Sequence, residues 1–167
     1  MTERELLIDG FAFDLWANRR WAEALTRHWP ELLSPESMAR MESPGPWPDF
    51  RKDDPVGRIG DVFVHVLWAQ RTWLRRIGSE IAPAGDAEGW MRALNEGWVR
   101  LLAEHDLDAV IEYRNSRGQE GRLTVSEIAR HVIDHGTYHR GQIREIYGSV
   151  AGEEFPETGL AGYFMTK

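Results

Sequence analysis

No cysteine occurs in this 167-residue chain. That excludes disulfides and every thiolate-ligated metal site, so any ion must be held by nitrogen and oxygen. No apolar run is long enough to span a bilayer. The opening Met1-Thr2-Glu3-Arg4-Glu5 is charged and no apolar h-region follows, so a soluble, cytoplasmic protein without membrane partners is expected. A clustered basic stripe is missing as well. The 20 Lys and Arg are scattered among 27 acidic residues, and a net charge of -7 argues against a nucleic-acid partner, because phosphate binding needs grouped cations. No internal repeat, low-complexity tract or domain boundary is visible, and residues 1–167 read as one domain long enough to bury a core.

Two residue types stand out. There are eight tryptophans. Seven of them, Trp16, Trp21, Trp29, Trp68, Trp73, Trp90 and Trp98, fall in segments that read as helices. Helix packing accounts for most of them, and a subunit interface or pocket wall is expected for some. The second is histidine, of which there are six. Three of these, His131, His135 and His139, follow one another at four-residue steps, which places them on one face of a helix.

Neutral imidazole is the commonest protein ligand for metals, so two rings four apart form a ready chelate. Three cannot close on one ion, because eight helical residues span ~12 Å. The apolar pattern selects the pair. Val125, Ile128, Val132, His135, His139, Ile143 and Ile146 recur at steps of three and four, the mark of a buried helical face. His135 and His139 thus stand where Leu or Ile is usual, and His131 lies on the shoulder. One histidine on such a face is commonly a core residue with one hydrogen bond. Two in succession each need a buried polar partner, and a shared metal supplies it.

The same periodicity predicts four long helices. The first spans about residues 3–29, with Leu7, Phe11, Leu15, Asn18, Ala22, Leu25 and Trp29 on one face. Ser34-Pro35-Glu36 has the form of a short helix start, with serine as cap and proline at the first position. A loop rich in proline, Ser43-Pro44-Gly45-Pro46-Trp47-Pro48-Asp49, leads towards Asp54-Pro55, the cap and start of the second long helix. That helix carries Ile59, Val62, Val66, Ala69, Trp73 and Ile77 inward and stops at Gly78. The third begins near Asp86 and shows Trp90, Leu94, Trp98 and Leu101. Ala109–Asn115 and Arg122–Thr124, separated by Gly118 and Gly121, read as a small hairpin. Thr124-Val125-Ser126-Glu127 is a capping box that opens the fourth long helix, expected to end at Gly148. The tail is mixed. The fold class is therefore all-α, a four-helix bundle with a short β-hairpin between helices three and four. The core of such a bundle is a common place for metal sites built from facing helices.

His28, His65 and His105 remain as sources of a third ligand. His28 and His105 lie near helix ends, where an imidazole interacts with terminal carbonyls. His65 lies in mid-helix at the edge of a buried stripe, and a bundle can bring it against His135 and His139. Asp14 and Asn18 are polar residues at the core stripe of the first helix. They either support the ligands or satisfy each other.

Asp14-Leu15-Trp16-Ala17-Asn18-Arg19-Arg20, Asp61-Val62-Phe63-Val64-His65-Val66-Leu67 and His131-Val132-Ile133-Asp134-His135-Gly136-Thr137-Tyr138-His139-Arg140-Gly141-Gln142 resemble the three signature blocks of the DinB/YfiT-like metalloenzymes. Pro156-Glu157-Thr158-Gly159-Leu160-Ala161-Gly162-Tyr163 resembles the family's closing segment. The likeness runs in order over nearly the whole chain, and the His-Arg-Gly-Gln ending is its most specific part. It implies up-down-down-up connectivity, a homodimer, and one divalent ion, Ni²⁺ or Zn²⁺, on His65, His135 and His139. Asp134 departs from the Asn common in the family, beside a ligand but not at one. Gly141, inside a helix at a cost of about 1 kcal/mol, is read as a place of close backbone approach.

Characterised branches of that superfamily include mycothiol-dependent maleylpyruvate isomerase and bacillithiol transferase. The resemblance therefore implies a metal that stabilises a deprotonated low-molecular-weight thiol, or water, as a nucleophile towards a small-molecule substrate. A thiol-dependent S-transferase and a hydrolase fit equally. His131 and Tyr138 are the nearest side chains able to move protons, and His131 also reads as a shoulder residue hydrogen-bonded to backbone. The competing expectation is a non-catalytic, stress-associated helical dimer whose metal is structural or vestigial. Because ligating imidazoles must be neutral, binding is expected to weaken below about pH 6.5.

Overall fold

The computed structural model describes residues 1–39, 53–82 and 85–167, and the proline-rich loop around Trp47 lies outside them. Its helices are α1 (Glu3–His28), α2 (Pro35–Ala39), α3 (Pro55–Arg76), α4 (Ala87–Glu104), α5 (Val125–Ala151) and α6 (Leu160–Phe164). A 3₁₀ turn, Pro30–Leu33, precedes α2, and an antiparallel hairpin of β1 (Val110–Arg114) and β2 (Glu120–Thr124) separates α4 from α5. The long helices start where the sequence carries caps. Thr2 and Thr124 each complete a reciprocal capping box, with Glu5 and Glu127. Asp54 and Asp86 accept from the amides of Gly57 and Gly89 at 2.9 and 3.1 Å.

Contacts along the bundle fix the direction of each helix. Arg4 donates to the carbonyl of His105 at 3.0 Å and Arg19 to Glu88 at 3.1 Å, so α1 and α4 are antiparallel. Arg130 pairs with Glu3 at 2.6 Å and Arg140 with Asp14 at 2.8 Å, so α5 runs parallel to α1. His65 meets His135 and Trp73 meets His131, which makes α3 antiparallel to α5. The connectivity is up-down-down-up. No helix among the described residues is long and apolar enough to cross a membrane.

Large rings fill the core. Trp98 stacks on Phe11 with centroids 4.6 Å apart, and Trp21 meets Phe63 edge-on at 5.0 Å. Trp21, Trp73, Trp90 and Trp98 are buried, and Trp16, Trp29 and Trp68 are half-buried against the same chain. The seven described tryptophans are thus accommodated within one chain, and their number gives no independent argument for a subunit interface.

Two boundaries and the tail differ from expectation. β2 begins at Glu120, so Gly121 pairs with Tyr113 inside the strand rather than lying in the turn. The fourth long helix does not stop at Gly148 but runs to Ala151, where Gly152 adopts φ 69° and caps it. Buried Tyr147 and half-buried Val150 continue its packing face past Gly148, and Gly152 supplies the left-handed residue that ends a helix cheaply. The tail contains α6, which lies against α1. Tyr163 packs 5.7 Å from both Phe13 and Trp16 and donates to Asp9 at 3.0 Å, while Lys167 also reaches Asp9.

A buried charge pair ties the helices that carry the histidines. Arg140 on α5 donates to Asp14 on α1 at 2.8 Å and to Asn18 at 2.7 Å. Asn18 and Gln70 each donate to the second Asp14 oxygen, at 2.8 and 2.7 Å, bringing in α3. Thr137 accepts from Arg140 at 3.1 Å. Both charged side chains are 2–3% exposed. Gly136 permits this approach, since a Cβ there would sit 2.5 Å from Asp14 Oδ1. The close-approach role expected of Gly141 belongs to Gly136 instead: Gly141 is exposed, and a Cβ on it would meet nothing within 4 Å. Removing one member of such a pair leaves an uncompensated buried charge. Arg140→Met should therefore cost about 3–5 kcal/mol in urea denaturation. Asp14→Leu combined with Arg140→Met should recover most of that loss, whereas a double variant as unstable as the sum of the singles would contradict this account.

Candidate metal centre

His65 enters the site from α3, between Val64 and Val66, which are each 1% exposed. Its own ring is half-buried and lies parallel to Trp68, with centroids 6.1 Å apart. His135 and His139 come from α5, one turn apart, on the face the apolar stripe marks. Ring centroids are 5.0 Å apart for His65–His135, 4.9 Å for His65–His139 and 4.4 Å for His135–His139. Their ligand atoms all lie within 4.8 Å of one another, so the cluster could hold a divalent ion.

The donor atoms show how well the group fits. His135 Nε2 lies 3.2 Å from His65 Nε2 and 3.1 Å from His139 Nε2. Gln142 Oε1 is 2.8 Å from His139 Nδ1 and accepts its proton. With that proton on Nδ1, His139 Nε2 presents a lone pair. A proton on His135 Nε2 can donate in line to only one of its two contacts, and an unprotonated His135 Nε2 sets its lone pair against that of His139. A shared cation resolves both contacts together. Three zinc ligands at ~2.0–2.1 Å in tetrahedral geometry stand ~3.3–3.4 Å apart, close to the spacing found.

Burial keeps these rings neutral. It is the main cause that pushes His65 down to about 4 and His135 down to about 3, with charge on neighbouring histidines adding to it. His139 is lowered by burial too, opposed by its hydrogen bond to Gln142. The onset of proton competition for a metal therefore moves below the pH 6.5 expected from free imidazole.

The other histidines are not members of this trio. His131 is exposed, and its ring centroid is 5.7 Å from both His135 and Trp73. Burial lowers its pKa, with Asp134 opposing. His28 does not cap carbonyls but meets the Glu153 carboxylate at 3.1 Å. At His105 it is the backbone carbonyl that is engaged, by Arg4. Asp14 and Asn18 bond to each other and to Arg140 rather than to a candidate ligand. Tyr138 is 60% exposed, 5.2 Å from the His139 ring. Two roles escaped the sequence reading, those of Gln142 and Arg140. The signal was present in their offsets: Gln142 is three residues past His139 on the same helix face, and Arg140 points the other way.

A cleft of about 870 Å³ lies elsewhere, between the end of α1 and the start of α4, with Arg19, Thr26 and Met91 in its wall. None of its lining residues is a histidine.

An up-down-down-up bundle with three imidazoles converging from α3 and α5 defines the class. The model of the DinB family matches residues 11–147, which include all three histidines, and the chain belongs to that family. It is 32% identical over 75 residues to Protein DinB of Bacillus subtilis (strain 168), a match that spans 44% of each chain. No solved structure matches it.

The depressed histidines fix a pH dependence for the metal-free protein. The folded state keeps His65 and His135 neutral while the unfolded chain takes up protons below about pH 6.5. Stability should be complete above that pH and fall as the pH drops towards 4. Denaturation midpoints in the presence of a chelator check this. A His135→Phe variant should show a shallower decline, and an unchanged slope would remove this histidine as the cause.

Proposed function

We propose that this protein is a metal-dependent enzyme acting on a small molecule, with His65, His135 and His139 as the ligands of one Ni²⁺ or Zn²⁺ ion. The observation that carries the reading is the convergence of three Nε2 atoms at a site that is not sealed. His65 and His135 are half-buried, and exposed His131 and Tyr138 stand beside the ligand pair. Structural sites are closed by four protein ligands, whereas catalytic ones keep a position free. Three imidazoles leave such a position.

A bound divalent cation lowers the pKa of a thiol or water and so supplies a nucleophile near neutral pH. The chain has no cysteine, so a thiolate must come from a low-molecular-weight thiol, as in an S-transferase, and water would make the enzyme a hydrolase. His131, whose ring centroid is 5.7 Å from that of His135, is the candidate acceptor for the proton released by either. Tyr138 is exposed beside His139, and its hydroxyl accepts from Gln142. Family membership supports the metal reading, and the homodimer is proposed on the same footing. Sedimentation at micromolar concentration should give the mass of two chains, and a monomer would remove that part.

Elemental analysis of the six single His→Ala variants tests the ligand set. Metal content should be lost at positions 65, 135 and 139 and kept at 28, 105 and 131. Retention by His139→Ala, or loss at His131 as severe as at His65, would mean the wrong rings. The loaded protein should consume a small thiol in the presence of an electrophile, or hydrolyse an activated ester, with the rate reduced in His131→Ala. Full metal occupancy that neither exchanges ligands nor supports either reaction would favour the non-catalytic dimer.

A further inference from the structure

His139 is held from the side opposite its donor atom. Gln142 lies three residues further along α5, with Oε1 2.8 Å from His139 Nδ1, and its Nε2 donates to the Tyr138 hydroxyl at 2.9 Å. A neutral imidazole carries one proton, which sits on either nitrogen without change of charge. When Nδ1–H donates to Gln142, Nε2 keeps its lone pair, and Nε2 is the atom that faces His135 at 3.1 Å. The reversed amide would offer N–H to Nδ1 and force the proton onto Nε2, where it would block ligation. The amide's second contact, to Tyr138, is met in the orientation found.

We propose that Gln142 is a positioning residue that locks His139 into the Nδ1-protonated tautomer and so keeps its Nε2 available to a metal ion. This rests on the three-histidine reading above. Partners of this kind orient ligating imidazoles and raise their basicity, and removing one lowers metal affinity by about 10–100-fold. Gln142 itself is exposed, so truncating it disturbs no core packing.

Two readouts test the proposal. Long-range ¹⁵N–¹H spectra of the histidine rings in the metal-free protein at pH 8 should show His139 protonated on Nδ1. The Gln142→Leu variant should move population to Nε2–H. Zn²⁺ affinity, measured by competition with a chelator, should fall about 10–100-fold in Gln142→Leu and return in Gln142→Glu, whose carboxylate accepts the same N–H. A role in packing alone would not give rescue by Glu. Wild-type His139 found protonated on Nε2, or a Gln142→Leu affinity within twofold of wild type, would overturn the proposal and leave the three-histidine site standing. A wild-type protein that binds neither Zn²⁺ nor Ni²⁺ would overturn the site itself, and the tautomer of His139 would then decide the role of Gln142 alone.

Discussion

The buried pair of Asp14 and Arg140 sets the geometry on which the rest of this molecule depends. Two charges withdrawn from water are costly unless their lone pairs and protons find partners. Here α1, α3 and α5 together supply them for both Asp14 oxygens and both terminal nitrogens of Arg140, while Arg140 Nε is buried without one among the described residues. Asn18, Gln70 and Thr137 surround the pair. Sliding any of the three helices along its neighbour would strip a charge of its hydrogen bonds. Apolar contacts alone tolerate small shifts, whereas a charge-assisted bond of 2.8 Å does not. The pair therefore acts as a register pin. His139 is the residue before Arg140, so the position of one candidate ligand is inherited from a salt bridge on the other side of its helix.

Opposed demands meet at the cluster of imidazoles. The bundle gains from excluding water around His65, His135 and His139, and each ring then resists protonation. Yet neutral rings crowded nitrogen to nitrogen have too few protons to satisfy all their contacts. A fold with only hydrophobic intent would place Leu or Ile at these positions. The cost is confined to one place, and that place has exposed polar groups beside it.

Much of this was legible in the residues because the signals were local. The capping box at Thr124 marks a helix start through atoms three residues apart, and the stripe on α5 marks its buried face through steps of three and four. His135 and His139 were visible as interruptions of that stripe. His65 needed more, since only the packing of α3 on α5 brings it into place. What stayed hidden was non-local or depended on side-chain direction. Asp14 and Arg140 are 126 residues apart, and nothing in either segment names the other. Gly141 and Gly136 are equivalent as letters in a helix, and only the position of Asp14 distinguishes them. The end of α5 was misplaced because a glycine followed by packing residues does not stop a helix, whereas Gly152 follows the last of them.

The candidate ligands also join distant parts of the chain. His65 and His135 are 70 residues apart in sequence, and the hairpin and all of α4 lie between them. An ion gripping both would close that loop in a chain that has no cysteine with which to close it covalently. A permanent tie across a loop of such length would remove about 4 kcal/mol of unfolded-state entropy. A tie made of a metal is conditional, and its contribution would rise with the logarithm of free ion concentration. The resistance of this protein to unfolding would then depend on the supply of a trace element in its surroundings.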